Sequence, residues 1–272
     1  MNIAILSAAN SIHTEKIVNA LSEQGHKVYL FSLPDHADQD GGYHKNVTIK
    51  YFKHGGTISY FYNHLELRKW LSEYQIDIVN AHYASGYGTI GGLCGFHPYV
   101  LSVWGSDVFD FPFTSKLKRF LLKHNLKKAD LLLSTSHCMA RQTEKFVTGK
   151  QIIVTPFGVD TKVFAPSGRH DRENMNIGFI KGISEKYGIE YLLRAFRKVC
   201  DACPGQNLSL LVYGDGSQLK QMKQLSKELE IDKNTTFFGR IPHEKVPAAL
   251  SQMDIFCVLK LLSDPWRTTS SG

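Results

Sequence analysis

From its second residue the chain alternates short apolar runs with amphipathic stretches, and this alternation restricts its fold more than any other feature. Residues 2–6 suit a buried strand. Residues 14–24 put Ile17, Val18 and Leu21 on one helical face and stop at Gly25, and residues 27–33 form a second strand closed by Pro34. Further strands are predicted at 47–52, 76–81, 99–103, 130–134 and 151–155, with helices over 60–74, 116–128 and 138–146. The pattern resumes with strands at 177–180, 208–213, 235–238 and 254–259, separated by helices from Ile189 and over 218–229 and 246–253. Strands that alternate with helices pair in parallel and carry helices on both faces, so the expected class is α/β with doubly wound sheets. A length of 272 residues suits two domains better than one. The polar, glycine-bearing stretch 167–174 is a fair link, so the expected domains are 1–168 and 169–272.

In such sheets ligands bind where loops leave the carboxyl ends of strands. The loop after the first strand, 7–11, is followed by His13, a candidate by position. The strand 99–103 runs into Trp104-Gly105-Ser106-Asp107-Val108. There the Asp107 carboxylate either faces the cleft or caps its own turn. In the second half, residues 177–197 read as a strand, a loop bearing Lys181, Glu185 and Lys186, and a helix with Ile189, Leu192, Leu193 and Phe196 on one face. A helix N-terminus beside two lysines is suited to an anion. A plain βα unit with solvated lysines has the same pattern. Gly86-Tyr-Gly88-Thr-Ile-Gly91 satisfies the dinucleotide spacing, but it lies well into the sheet and lacks a well-placed acidic residue about 20 positions on. We read it as a glycine-rich helix packed close to the sheet. Cys200 and Cys203 have no second pair for zinc and are expected to be buried thiols.

Residues 177–197 resemble the donor-binding segment of the GT-B glycosyltransferases of family 4. The resemblance extends to Pro156-Phe-Gly158-Val-Asp160, to W-G-S-D-V at 104–108 and to the Gly214-Asp215-Gly216 turn. It implies two Rossmann-like domains, the first on the acceptor side and the second holding a nucleotide-diphosphate sugar. It also implies a retaining transfer without a metal ion or cofactor, to a glycan or lipid-linked acceptor, with no nucleic acid involved. By the same resemblance Lys181 and Lys186 hold the donor diphosphate. Gly214, Gly216 and Arg240 lie on its nucleotide side, and Asp107 and His13 position sugar and acceptor. Many relatives carry His where this chain has Trp104, and Asn where it has Phe157.

Lys and Arg number 32 against 25 Asp and Glu, a net charge of +7, which favours anionic partners. Much of that charge lies in residues 109–128, from Phe109 to Lys128. Three alternating aromatics there precede a basic helix with Leu117, Phe120, Leu121 and Leu122 on a usable face. A core helix with a solvated basic face has this pattern, as does a helix that docks on anionic lipid. Five scattered cysteines, no signal-peptide pattern and no apolar run near the ~18 residues of a membrane span lead to an expected cytoplasmic location, peripheral at the membrane if the basic helix docks.

After residue 259 the chain departs from the family. The Glu-x-Phe-Gly loop and second Glu are missing, and no Glu follows Glu244. The expectation is an incomplete second domain, a fragment with little transferase activity of its own. The other readings open at this stage are an NAD-type oxidoreductase, a nucleotide-sugar epimerase, and a non-catalytic fragment that binds membrane or partner through 109–128.

Overall fold

A computed structural model of the chain describes residues 1–38, 41–166 and 174–259. They form two compact units that divide between Gly158 and Val159. The domain boundary expected at 168/169 and the departure expected after residue 259 lie outside the described residues.

The first unit contains β1 (Asn2–Leu6), α1 (Ile12–Glu23), β2 (Lys27–Ser32), β3 (Val47–Tyr51), α2 (His64–Glu73), β4 (Ile78–His82), α3 (Tyr87–Cys94) and β5 (Tyr99–Val103). There follow α4 (Ser106–Phe109), α5 (Phe111–Thr114), α6 (Lys116–Lys128), β6 (Leu131–Ser134), α7 (His137–Glu144) and β7 (Ile152–Val154). All strand pairs are parallel, in the order β3-β2-β1-β4-β5-β6-β7. Side chains of a strand point alternately to its two faces. On β1, Ala4 and Leu6 therefore join the core that holds Leu67, Ile90 and Leu122, while Ile3 and Ile5 join the core under α1 with Val18 and Leu30. Both faces are covered, as a parallel sheet requires.

The second unit contains β8 (Asn174–Ile180), α8 (Ile189–Ala202), β9 (Asn207–Tyr213), α9 (Leu219–Glu228), β10 (Thr235–Gly239), α10 (Val246–Leu250) and β11 (Ile255–Phe256). Its order is β10-β9-β8-β11, again all parallel. The predicted face of α8 is the observed one: Ile189, Leu192, Leu193 and Phe196 are buried against Phe179, Leu210 and Val212.

Two readings need correction. The helix expected over 60–74 is a 3-10 turn, Thr57–Phe61, followed by the separate α2. Cys200 and Cys203 are half-buried because they lie at the C-terminal end of α8, where the helix leaves the core; all five cysteines are free thiols.

The G-x-G-x-x-G glycines serve packing. A Cβ on Gly88 would lie 2.9 Å from a Leu101 methyl and 3.1 Å from the Tyr83 carbonyl oxygen, and one on Gly91 would lie 2.6 Å from the Tyr99 ring. The glycines let α3 sit directly on the sheet, with Tyr99 donating from its hydroxyl to the Gly88 carbonyl at 3.1 Å.

Candidate functional site

In each sheet the strand order reverses direction beside its first strand, between β1 and β4 in one and between β8 and β11 in the other. Loops diverge at such a switch point and leave a crevice at the carboxyl edge. Each unit has a cavity at that carboxyl edge, the first beside the switch point and the second over the ends of β8, β9 and β10.

In the second unit a cavity of about 710 Å³ is lined by Lys181, Tyr213, Gly214, Asp215, Gly216 and Arg240, among others. Lys181, Gly214, Gly216 and Arg240, chosen from three separate motifs, thus come together. They follow β8, β9 and β10, which are adjacent and parallel, so their carboxyl ends share an edge. The backbone sets the shape. The Lys181 N–H donates to the Tyr213 carbonyl at 3.1 Å, the Ile183 N–H to Asp215 at 2.9 Å, and the Gly214 N–H to Gly239 at 2.7 Å. The Lys181 ammonium lies 5.2 Å from the centre of the Tyr187 ring. Lys186 stands in the turn Glu185–Tyr187 before α8 and is not among the lining residues. Tyr213, missed by the motif reading, stacks on Phe238 at 4.3 Å between ring centres, with its hydroxyl 3.2 Å from Gln252 Oε1.

In the first unit a cavity of about 930 Å³ is lined by Ser7 and Ser11 of the β1 loop, by His13, by Tyr83 and Gly86 after β4, and by Trp104 after β5. His13 lies in that wall. Its ring stacks on Phe157 at 3.9 Å between centres, and Trp104 meets both rings edge-on at 6.0 and 5.1 Å.

Asp107 is placed differently from His13. It is 1% exposed and does not line the cavity. Its carboxylate accepts from the backbone N–H groups of Gly105 at 2.7 Å, Ala84 at 2.9 Å and Trp104 at 3.2 Å. Burial raises its pKa, and these donors oppose the rise. The carboxylate ties the turn after β5 to the loop after β4, and Gly105, at φ +146°, gives that turn a backbone that favours glycine. Asp107 therefore holds Trp104 in the cavity wall from behind.

His82 lies under the same wall, 1% exposed, with Nδ1 3.0 Å from the Ser7 hydroxyl and its ring 4.5 Å from Trp104. The Ser7 hydroxyl is in turn 2.7 Å from that of Thr14. Nε2 of His82 is buried without a partner, and burial lowers its pKa to about 3. The unfolded chain takes up that proton near the ordinary value of ~6.5, so stability is full above that pH and falls as pH drops toward the folded pKa. At pH 5 the loss from this one group is about 2 kcal/mol, whatever the folded value below ~4. His82→Phe, which keeps a ring against Trp104, should flatten the fall between pH 7 and 5 by about that amount. Denaturant titrations at the two pH values measure it, and an equal fall in both proteins would exclude His82 as the source.

Comparison with known proteins adds a family. Residues 2–136 match the family described as Glycosyl transferase 4-like, and residues 160–265 match Glycosyl transferases group 1. The phosphatidylinositol N-acetylglucosaminyltransferase GPI3 subunit of Saccharomyces cerevisiae is 25% identical over 214 residues, 70% of this chain and 44% of its own length. The phosphatidyl-myo-inositol mannosyltransferase of Mycobacterium tuberculosis is 23% identical over 263 residues, 90% of this chain and 66% of its own length. The chain thus spans 44% and 66% of these two relatives. In fold it resembles Anabaena HepE, solved with UDP and glucose, with a TM-score of 0.71 and 14% identity over 96% of this chain and 74% of that one. Among the described residues no helix is long and apolar enough to cross a membrane.

Proposed function

This chain belongs to the family 4 glycosyltransferases of GT-B fold, and from that premise we propose that it transfers a hexose from a nucleoside-diphosphate sugar to an acceptor hydroxyl. The observation that carries the reading is the convergence of Lys181, Gly214, Gly216 and Arg240 on one cleft at the carboxyl edge of the second sheet, over the ends of β8, β9 and β10. In the reaction the bond from the sugar's anomeric carbon to the diphosphate breaks and negative charge collects on the departing diphosphate. The acceptor oxygen forms the new bond and gives up its proton. Fixed positive charge aimed at the leaving group is what lowers such a barrier most. Lys181, fixed in the cleft wall by the pairing of its backbone with Tyr213, is suited to that charge, and Arg240 to the nucleotide side. Lys186 reaches the diphosphate in this proposal from the turn at the start of α8. Retention of anomeric configuration and independence of metal ions and cofactors belong to the same proposal.

The acceptor stands in the first unit's cavity, positioned by His13 directly and by Asp107 through the turn it holds. Both relatives above are named for transfer to phosphatidylinositol, which supports a lipid-linked acceptor and peripheral contact with anionic membrane through residues 109–128. A cytoplasmic location is part of that proposal.

Titration calorimetry with UDP, GDP, ADP and NADH tests the donor assignment. One nucleoside diphosphate should bind. Lys181→Ala should weaken it by about 2 kcal/mol, roughly thirtyfold in Kd, as expected for loss of a charge-assisted contact. Binding of NADH alone would turn the assignment to a dehydrogenase, and an unchanged Kd in Lys181→Ala would remove the lysine from the site.

A further inference from the structure

We propose that the cavity of the first unit holds the alkyl chain of a phosphate-bearing membrane lipid, which enters past the first two turns of α6. The inference rests on the transferase reading and specifies its acceptor class. It starts from the character of the wall. Alongside polar groups such as Ser7 and His13, the lining includes Tyr60, Phe61, Phe111, Leu117, Phe120 and Leu121. Against the rings and aliphatic groups of these six, the hydroxyls of a free sugar lose water for few partners, whereas an alkyl chain loses nothing there. A volume of about 930 Å³ is at the large end of small-molecule sites and accommodates a long chain.

The rim gives the direction of entry. Leu117 and Phe120 line the cavity yet are 75% and 68% exposed, and Phe61 is 45% exposed. Ile58, Tyr62 and Leu65, beside Phe61 in sequence, are exposed as well. The other face of α6 packs inward through Leu122 and Leu126, so this helix carries two apolar faces, one of them turned to solvent around the cavity mouth. An apolar rim of that extent is favourable where it meets the acyl layer of a bilayer.

Charge selects a lipid over another protein's apolar segment. Residues 111–128 carry Lys116, Lys118, Arg119, Lys123, Lys127 and Lys128 and not one carboxylate. Lys118 itself lines the cavity, with its ammonium 5.5 Å from the centre of the Phe111 ring. A headgroup phosphate beside α6, with the chain inside, satisfies both chemistries at once.

Trp104 in the wall provides the readout. A dodecyl phosphate brominated along its chain, used below its micelle concentration, should quench most of the emission from Trp104. In a Trp266→Phe background, Trp104→Phe should remove the quenchable component, since the remaining Trp70 lies elsewhere, stacked on Phe31 and Phe52. Leu117→Ser and Phe120→Ser, both at exposed positions, should each raise the half-quenching concentration about tenfold with unfolding temperatures unchanged. No quenching would overturn the proposal, as would quenching that persists in Trp104→Phe or in both serine variants. UDP titration of the same chain separates this inference from the one beneath it. Nucleotide binding without quenching rejects the lipid chain and leaves the transferase, whereas quenching without any nucleoside diphosphate bound keeps the cavity and rejects the transferase.

Discussion

Gly214→Ala should unfold the second unit at a markedly lower temperature and abolish nucleoside-diphosphate binding. Gly214 has φ +138°, and a Cβ there would lie 1.9 Å from the Lys181 carbonyl oxygen and 2.9 Å from its carbon. Both obstacles are backbone, so no rotamer change relieves them. The loops after β8 and β9 must move apart, breaking the hydrogen bonds from Lys181 to Tyr213 and from Ile183 to Asp215. Backbone strain and overpacking together cost about 3–5 kcal/mol. The displaced segment is the one that carries Lys181, so binding is lost through geometry with the charge still present. Gly205→Ala is the control: a Cβ there meets nothing within 4 Å, and stability should change by less than about 1 kcal/mol. Differential scanning calorimetry of the two variants with and without UDP reads both effects. A Gly214→Ala protein that melts and binds like the parent would show that these loops do not need their close approach.

Asp107→Ala should have the largest effect in the first unit. Removing the carboxylate strands three backbone N–H groups, of Ala84, Trp104 and Gly105, around a side chain that is 1% exposed. Each unsatisfied buried donor costs about 1–3 kcal/mol; Trp104 and Gly105 are only half-buried and regain some water, so the sum is about 3 kcal/mol. For a unit of this size that lowers Tm by about 10 °C. Asp107→Asn keeps one acceptor oxygen and should fall between the two. The result also separates two roles. A carboxylate that holds the turn costs stability when removed, whereas a carboxylate that acts only on substrate costs turnover and leaves the melting temperature alone.

Much of the fold was legible in the order of residues, because a strand buried on both faces must be a continuous apolar run and a covering helix must carry a one-sided stripe. Residues 2–6, 99–103 and 208–213 and the face Ile189–Leu192–Leu193–Phe196 are cases where local pattern and tertiary need coincide. Where the pattern was weak the reading was coarser. Residues 60–74 look like one helix because apolar spacing does not register the turn at Phe61 and Tyr62, and the strand expected over 254–259 is described only as Ile255–Phe256.

For the sites, sequence determined the residue types and their motifs: the lysine after β8, the glycine pair after β9, the arginine after β10, the aspartate after β5. Tertiary structure decided which of them meet. Lys181, Gly214 and Arg240 share a cleft because three consecutive strands are adjacent and parallel, which places their carboxyl ends side by side. Asp107 reads the same in sequence whether it faces a ligand or caps a turn. Its use as a cap follows from Ala84, 23 residues earlier, whose N–H is brought to it only by the pairing of β4 with β5. The apolar cavity had no motif at all, since Phe61, Trp104 and Leu117 belong to three separate segments and become one wall only when the sheet sets them around its switch point. Local pattern reaches a few residues along the chain, and a site assembled from separated loops is specified by packing.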